Sequence, residues 1–267
     1  MDTVTKDQLL GQKLADLGQA VVCYSGGVDS SFLLKRSLME LGSGVTAAIV
    51  NSESFPNADY SEAVRRAESM GARVVQLEVE ELAVEALAKN DVDRCYHCKT
   101  LSFGQITEQL GHQGQVLDGT NADDLTDYRP GLKAKDEKSV QSPLAEAGLT
   151  KNEIRHLAKG LGMDVWDKPS MPCLNSRVPY GQAITIEKLD QIGKAEGMLK
   201  AMGLHDLRVR HHGEIARIEV APEDFAVVLG HRDLLEPQIK ALGFKYVTLD
   251  LKGFRSGSLN EGMVLGN

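Results

Sequence analysis

No run of about eighteen apolar residues occurs in the chain, so nothing in it reads as a membrane-spanning helix. The opening residues, Met1-Asp2-Thr3-Val4-Thr5-Lys6-Asp7, lack the basic and apolar regions of a signal peptide, which predicts a cytoplasmic protein. An excess of positive charge is missing too. Lys and Arg number 30 against 38 Asp and Glu, a formal net charge of −8. That balance argues against loose wrapping of nucleic acid, whose affinity comes largely from Lys and Arg on phosphates, though it leaves room for a local basic site. Repeats and low-complexity segments are absent. Cysteine is scarce: Cys23, Cys95, Cys98 and Cys173 are the four. In a reducing compartment such thiols serve as ligands or reactive groups more often than as structural disulfides. Also lacking is the Gly-x-x-x-x-Gly-Lys-Ser/Thr of a P-loop. What remains is ordinary for a globular protein, 42% hydrophobic and 25% charged over 267 residues, enough for one large or two modest domains.

The stretch that organises the chain is Val21-Val22-Cys23-Tyr24-Ser25-Gly26-Gly27-Val28-Asp29-Ser30-Ser31. A short apolar run passes through two glycines into a helix-period pattern beginning at Phe32, which predicts a buried strand, a tight turn and a helix N-terminus. Gly26 and Gly27 allow a sharp turn and close approach of the backbone to a ligand. The helix start supplies free N–H groups and the positive end of its dipole, while Ser25, Ser30 and Ser31 add hydroxyls. Together these make a phosphate cradle. Ser25-Gly-Gly-Val-Asp-Ser30 resembles the signature of the PP-loop ATP pyrophosphatases, which implies that the turn grips the pyrophosphate end of ATP and that AMP is transferred to a substrate oxygen.

Along the chain, residues 8–19 read as an amphipathic helix, Val45–Val50 as a second strand, 58–70 as a helix and Arg73–Leu77 as a third strand. Gly42-Ser-Gly44 superficially matches a dinucleotide fingerprint, but it precedes a strand and reads as a helix–strand loop. Residues 79–89 are helical in period. Val116–Asp118 is a fourth strand, opening into Gly119-Thr120-Asn121-Ala122-Asp123-Asp124, and a capping box of Thr150 and Glu153 starts a helix over 150–162. Val165-Trp166 reads as a last short strand. Strands alternating with helices predict an α/β fold with a parallel sheet covered on both faces and ligands at the C-terminal strand ends, where the Ser25–Ser31 turn, Asn51 with Ser52, and Gly119–Asp124 all fall. Lys168-Pro169-Ser170-Met171-Pro172-Cys173 breaks the pattern and marks the expected boundary between domains at 1–168 and 169–267. The second reads as a smaller α+β unit, with helices near 185–202 and 231–242 and strands at 206–210, 215–220 and 246–250.

Several residues carry chemistry. Asp123 and Asp124 offer hard oxygens suited to Mg²⁺, which would neutralise departing pyrophosphate, and Arg129 or Lys133 of the following loop could contact the triphosphate. Cys95-Tyr-His-Cys98, followed by Lys99, is by itself open among a redox pair, a zinc half-site and an iron–sulfur half-site. Cys173 is the third thiolate within reach of such a set. Cys23, inside the first strand, reads as a small buried hydrophobe. Cys173-Leu-Asn-Ser176-Arg177 couples a thiol to a hydroxyl and a guanidinium, and Lys99, Ser176 and Arg177 join Cys173 and Asp29 as candidate catalytic residues. Arg208 and Arg210, two apart on one strand face, can point at one anion, and with Arg255 they form a cationic set suited to a phosphate monoester. Glu196 is a candidate for proton transfer or substrate positioning.

Taken together, Ser25–Ser30, Asp118–Asp124, Asp127-Tyr-Arg-Pro-Gly-Leu-Lys133, Ser176-Arg-Val-Pro-Tyr-Gly181, Leu207-Arg-Val-Arg210, Tyr246–Asp250 and Gly253–Gly257 resemble the LarE-type ATP-dependent sulfur transferases across nearly the whole chain. The resemblance implies a role in making the nickel-pincer cofactor of lactate racemase. Its substrate would be pyridinium-biscarboxylic acid mononucleotide, whose carboxylates are adenylylated and then converted to thiocarboxylates. It further implies a homohexamer built as a trimer of dimers, and phosphate binding by Arg208, Arg210 and Arg255. In some members the cysteine matching Cys173 surrenders its own sulfur and becomes dehydroalanine. The added Cys95 and Cys98 favour instead the variant in which three cysteines hold a 4Fe–4S cluster whose open iron carries sulfide from a separate donor. A PP-loop tRNA thiolase and a non-catalytic ATP-sensing module are the rival readings. The acidic balance counts against the first, and the Asp123-Asp124 pair with three cysteines is unexplained by the second.

Overall fold

The structure is a computed structural model that describes residues 1–126, 131–169 and 172–255. In chain order the elements are α1 (Thr3–Ala15), β1 (Ala20–Cys23), α2 (Val28–Leu41), β2 (Val45–Asn51), α3 (Asn57–Ser69), β3 (Arg73–Glu78), α4 (Glu85–Ala88), α5 (Arg94–Leu110), β4 (Gln115–Leu117), α6 (Gly131–Glu137), α7 (Pro143–Glu146), α8 (Lys151–Gly160), α9 (Ile186–Ala201), β5 (Leu207–His212), β6 (Ile215–Val220), α10 (Phe225–Gly230), α11 (Arg232–Ala241) and β7 (Tyr246–Leu249). They fall into two compact units. Residues 1–81 and the described part of 93–171 form one; residues 82–92 and the described part of 172–267 form the other.

The first unit is a parallel sheet ordered β3-β2-β1-β4. Its strands carry apolar residues on both faces because both faces are covered. Val22, Ala47, Ile49 and Leu117 point into one core with α1, α2, α3 and α8; Val21, Ala48 and Val116 point into the other, against Phe103, Ile106 and Leu110 of α5. Each fully buried Val, Leu or Phe side chain contributes roughly 1.5–3 kcal/mol. β1 pairs with β2 on one side and β4 on the other, so the chain reverses direction across the sheet between β1 and β4. The loops leaving these two strands meet at that switch point, the expected place for a ligand in a doubly wound sheet. The expected α/β architecture with a parallel sheet and a smaller second unit is borne out.

Two readings of local structure are corrected. Val165-Trp166 forms no strand; it lies in successive turns, with Val165 buried in the first core and Lys159 Nζ 4.3 Å from the centre of the Trp166 ring. A two-residue apolar pair cannot distinguish a strand from a core plug, and burial here is satisfied without pairing. Residues 79–89 form no continuous helix either. A 3₁₀ turn over Glu81–Ala83 is followed by the single turn of α4. Asn90 (φ 61°) then turns the chain, its Nδ2 donating to the carbonyls of Val178, Pro179 and Gln182. These tertiary bonds override the helical period of residues 79–89, and the Cys95–Cys98 motif falls in the first turns of α5.

The second unit has a three-stranded sheet ordered β5-β6-β7, antiparallel between β5 and β6 and parallel between β6 and β7. Its core joins Val209, Ala216, Ile218 and Val220 to Ala195 and Leu199 of α9 and to Leu235 and Ile239 of α11.

Candidate functional site

In the first unit the turn after β1 has the shape of a cradle. Gly26 has φ 73°, and a Cβ there would stand 2.7 Å from the Ala63 Cβ, so both conformation and space demand glycine. Gly27 caps α2 without a side-chain bond, leaving the helix start open to a ligand. Gly119, at the end of β4, would place a Cβ 3.0 Å from the Ser30 nitrogen; its bareness lets the two loops touch. Not all three hydroxyls face outward. Ser30 Oγ lies 3.1 Å from Ser25 Oγ and donates to the Gly27 carbonyl, while Ser31 Oγ is buried 3.1 Å from the Tyr24 hydroxyl. Ser30 and Ser31 therefore brace the turn through these bonds.

Asp29, in the first turn of α2, is bonded through Oδ2 to Lys151 Nζ, and its Oδ1 is buried without a hydrogen-bond partner. Burial raises its pKa above the usual carboxylate range and the charge of Asp124 adds to that, although Lys151 and the Asn121 side chain pull the other way. Asn121 Oδ1 accepts from the backbone N–H of Asp123 and Asp124, Asp124 Oδ2 accepts from the Asn121 N–H, and Asp123 Oδ2 accepts from the Lys151 N–H at 2.8 Å. The two aspartates thus fold their own loop and cap α8. Thr120 and Ser142 both donate to buried Asp118, at 2.6 Å each. At the end of β2, Asn51 Nδ2 bonds the Glu78 carboxylate and Ser52 Oγ lies 3.3 Å from Ser54 Oγ. Arg129, with Asp127 and Tyr128, lies outside the described residues. Lys133 is exposed, with its ammonium 5.3 Å from the centre of the Tyr96 ring.

Cys95 and Cys98 stand three apart in the first turns of α5, one exposed and one half-buried. The Cys98 thiol lies 3.3 Å from Oε1 of buried Glu81. Lys99 Nζ sits 4.9 Å from the centre of the Phe103 ring. Cys23 ends β1, where burial first, and then the Asp118 carboxylate, push its thiol up to about 12 despite the Lys99 charge. Among the described residues no group of three or more His, Cys, Asp or Glu is gathered as a metal site.

The second unit gathers its charges around β5. Glu196, buried on α9, grips Arg177 in a two-pronged pair (2.8 and 3.0 Å) and accepts from the Val209 N–H at 3.0 Å. Arg177 also donates to the carbonyls of Pro172 and Cys173 and to Ser176 Oγ, holding the backbone on which the half-buried Cys173 thiol stands. Arg210 donates to Glu219 on β6 at 3.0 Å and to the Ser176 carbonyl at 2.8 Å. Arg208 lies 5.0 Å from the centre of the Phe254 ring, and Arg255 pairs with Asp250 at 3.5 Å. Burial, with Arg177 and Arg210 nearby, lowers the Arg208 pKa to about 10 against the opposing pull of Glu196 and Glu219.

No family-wide profile matches the chain. A protein of Lactiplantibacillus plantarum described as pyridinium-3,5-bisthiocarboxylic acid mononucleotide synthase is 38% identical over 260 residues, 96% of this chain and 94% of that one. The chain belongs to this LarE-type synthase family. An uncharacterized Synechocystis protein is 39% identical over 96% of this chain and 97% of its own length, and one from Methanocaldococcus jannaschii is 30% identical over 88% and 90%.

In this LarE-type chain the structure brings Arg208 and Arg210 together with Arg177 in the second unit, and Asp29 together with Asp124 in the first. Cys95 and Cys98 belong to the first unit and Cys173 to the second. Sequence reasoning missed Lys151, Glu219 and Glu81. The register of β5 with β6, which sets Arg208 opposite Glu219, could have exposed the second. Nothing local announces the other two.

Proposed function

We propose that the chain adenylylates the carboxylates of pyridinium-3,5-biscarboxylic acid mononucleotide with ATP and replaces the activated oxygen with sulfur, yielding the thiocarboxylates of the nickel-pincer cofactor. The observation that carries this reading is relatedness over nearly the full length of both chains to a protein described as the bisthiocarboxylic acid mononucleotide synthase. Full-length coverage means that the cradle and the arginine cluster are compared together, not one domain alone.

A carboxylate is a poor acyl donor because its oxide is a poor leaving group. In the cradle, backbone N–H groups of the Ser25–Ser31 turn and the α2 dipole hold the pyrophosphate end of ATP. The substrate carboxylate then attacks the α-phosphorus and pyrophosphate leaves; Asp123 and Asp124 are the residues that would hold a Mg²⁺, which would supply charge neutralisation there. The orphaned Oδ1 of Asp29 fits a site that gains a polar partner on binding. Arg208, Arg210 and Arg255 bind the substrate's phosphate; a dianion there would favour the charged guanidinium that burial and then the neighbouring arginines disfavour at Arg208. Sulfur attacks the mixed anhydride and AMP departs.

Cys95 and Cys98, three apart on one helix with one thiol exposed, fit the pair of a metal chelate, and with Cys173 they are the residues to hold a 4Fe–4S cluster. Such a cluster supplies a labile sulfide when bound. The protein's part is to present three thiolates, to fix the Cys173 backbone through Arg177 and Ser176, and to seat the anhydride. The reading includes a homo-oligomer served by a sulfide donor; among the described residues no helix is long and apolar enough to cross a membrane.

Anaerobic purification with iron, sulfide and zinc analysis, followed by nucleotide product analysis, tests this. AMP and pyrophosphate should form only with the mononucleotide, and ADP with inorganic phosphate would overturn the adenylylation. Cys95→Ala, Cys98→Ala and Cys173→Ala should each lose iron and turnover together. Single-turnover activity retained by the first two, with the mass of one H₂S lost at Cys173, would instead establish a sacrificial cysteine.

A further inference from the structure

The charges of the second unit are laid out in a way that its phosphate arginines alone do not explain. Arg210 on β5 stands directly across from Arg217 on β6 in the antiparallel register. Like charges directly opposite one another are destabilising. Glu219 answers part of that cost. It lies two residues along β6 from Arg217, hence on the same face, and it is fully buried. Its Oε2 accepts from Arg210 at 3.0 Å and its Oε1 accepts from Arg217 Nη2 at 2.7 Å.

The pairing continues beyond Glu219. Arg217 Nε lies 3.5 Å from Asp250 Oδ2, and Arg255 Nη1 lies 3.5 Å from Asp250 Oδ1. Asp250 is itself anchored, because its Oδ1 accepts from the Lys252 N–H at 2.8 Å. Charges therefore alternate from β5 through β6 to the segment after β7, in the order Arg210, Glu219, Arg217, Asp250, Arg255. Three guanidinium groups meet two carboxylates, which leaves one positive charge over. Without Arg217, Arg210 keeps Glu219 and Arg255 keeps Asp250, and the chain of charges is neutral. Arg217 is thus the member that decides whether the other two arginines carry charge to spare for an anion.

We propose that Arg217 is a positioning residue of the phosphate site: by occupying Glu219 and Asp250 it leaves Arg210 and Arg255 available to a phosphate monoester. The proposal rests on the reading of Arg208, Arg210 and Arg255 as the substrate's phosphate site, and it adds a residue that touches the phosphate only through two of them.

Titration calorimetry of the full chain with the pyridinium mononucleotide and with its dephosphorylated riboside tests it. Arg217→Met should weaken mononucleotide binding roughly 10-fold, on the order of one unit charge acting on a dianion across partly buried protein, and leave riboside binding unchanged. Arg217→Lys, which keeps the charge, should recover most of that loss. The deciding variant is Arg217→Met combined with Asp250→Asn. Two guanidinium groups then meet one carboxylate, the surplus returns, and affinity for the mononucleotide should rise back towards the parent's. Parental affinity in Arg217→Met would overturn the proposal, even with a lowered denaturation midpoint, which marks a purely structural arginine. A double variant that binds no better than Arg217→Met would overturn it too. If Arg217→Met does not fold, Asp250→Asn alone is read: it should bind the mononucleotide more tightly than the parent, and weaker binding counts against the proposal. A parent that binds riboside and mononucleotide equally well sinks the phosphate site itself, a result distinct from failure of Arg217.

Discussion

The turn of the first unit and strand β5 of the second both concentrate positive charge, and they are built by opposite means. The turn relies on backbone N–H groups, a helix end and one lysine at the rim, all partly open to water. Strand β5 relies on guanidinium groups that are themselves buried, and burial is costly unless carboxylates compensate. Arg177 therefore has Glu196, and Arg210 shares Glu219 with Arg217. Backbone dipoles carry little desolvation cost, so the cradle can be made of a few small residues. Buried arginines must be woven into the fold that holds them. The first region should consequently separate function from stability under mutation, and the ion-paired arginines of the second, Arg177 and Arg210, should not.

The sharpest way to break the comparison is Glu219→Ala. Glu219 is fully buried against Arg210 and Arg217, and removing one partner of a buried pair costs about 3–5 kcal/mol. Denaturant titration should show that loss, whereas Asp29→Asn should leave the midpoint nearly unchanged while abolishing pyrophosphate release. If Asp29→Asn destabilises as much as Glu219→Ala, the contrast is wrong.

Next in size is Arg208→Ala, which should weaken mononucleotide binding by roughly 1.5–3 kcal/mol. It should cost little stability, because burial and its cationic neighbours already disfavour the charge. Binding equal to the parent's, measured by calorimetry, would remove Arg208 from the phosphate site.

A smaller effect probes the scaffold under Lys151. Burial works against the ionised Glu153, but bonds from Lys6, Thr150 and Thr3 prevail and lower its pKa to about 2 from 4.5. A depressed carboxylate stabilises the fold fully above its unfolded value and loses that contribution as pH falls through the folded one. Glu153→Ala should thus cost about 0.5–2 kcal/mol at pH near 7, a capping loss. The gap between variant and parent should shrink as pH drops from about 4.5 towards 2. A gap constant with pH would refute the capping account.

The smallest expected effect is at Cys23. With a thiol near 12 it should resist alkylation at pH 8 in the folded, metal-free protein while exposed Cys95 reacts, and Cys23→Ala should retain turnover. Labelled peptides after brief iodoacetamide treatment decide it.

What the amino-acid sequence determined alone was whatever is settled within a few residues. Gly26 between Ser25 and Gly27 dictates a tight turn, the continuous apolar runs of β1 and β2 dictate two covered faces, and Thr150 with Glu153 dictates a helix start. Each is a matter of local backbone sterics, side-chain period and nearby hydrogen bonds. The limits of that reasoning appear at Val165-Trp166 and at residues 79–89, where the local pattern was ambiguous and distant partners, Asn90 with the 178–182 carbonyls among them, chose the outcome.

Tertiary structure alone decided which charges meet. Lys151 reaches Asp29 across 122 residues, Glu196 takes both Arg177 and the β5 backbone, and Ser30 and Ser31 turn their hydroxyls inward to brace the cradle. Coulombic and hydrogen-bond energies depend on separation in space and on the surrounding dielectric, and neither is encoded by separation along the chain. A lysine at the start of one helix becomes a neighbour of the phosphate turn only because α8 packs its apolar face beside α2.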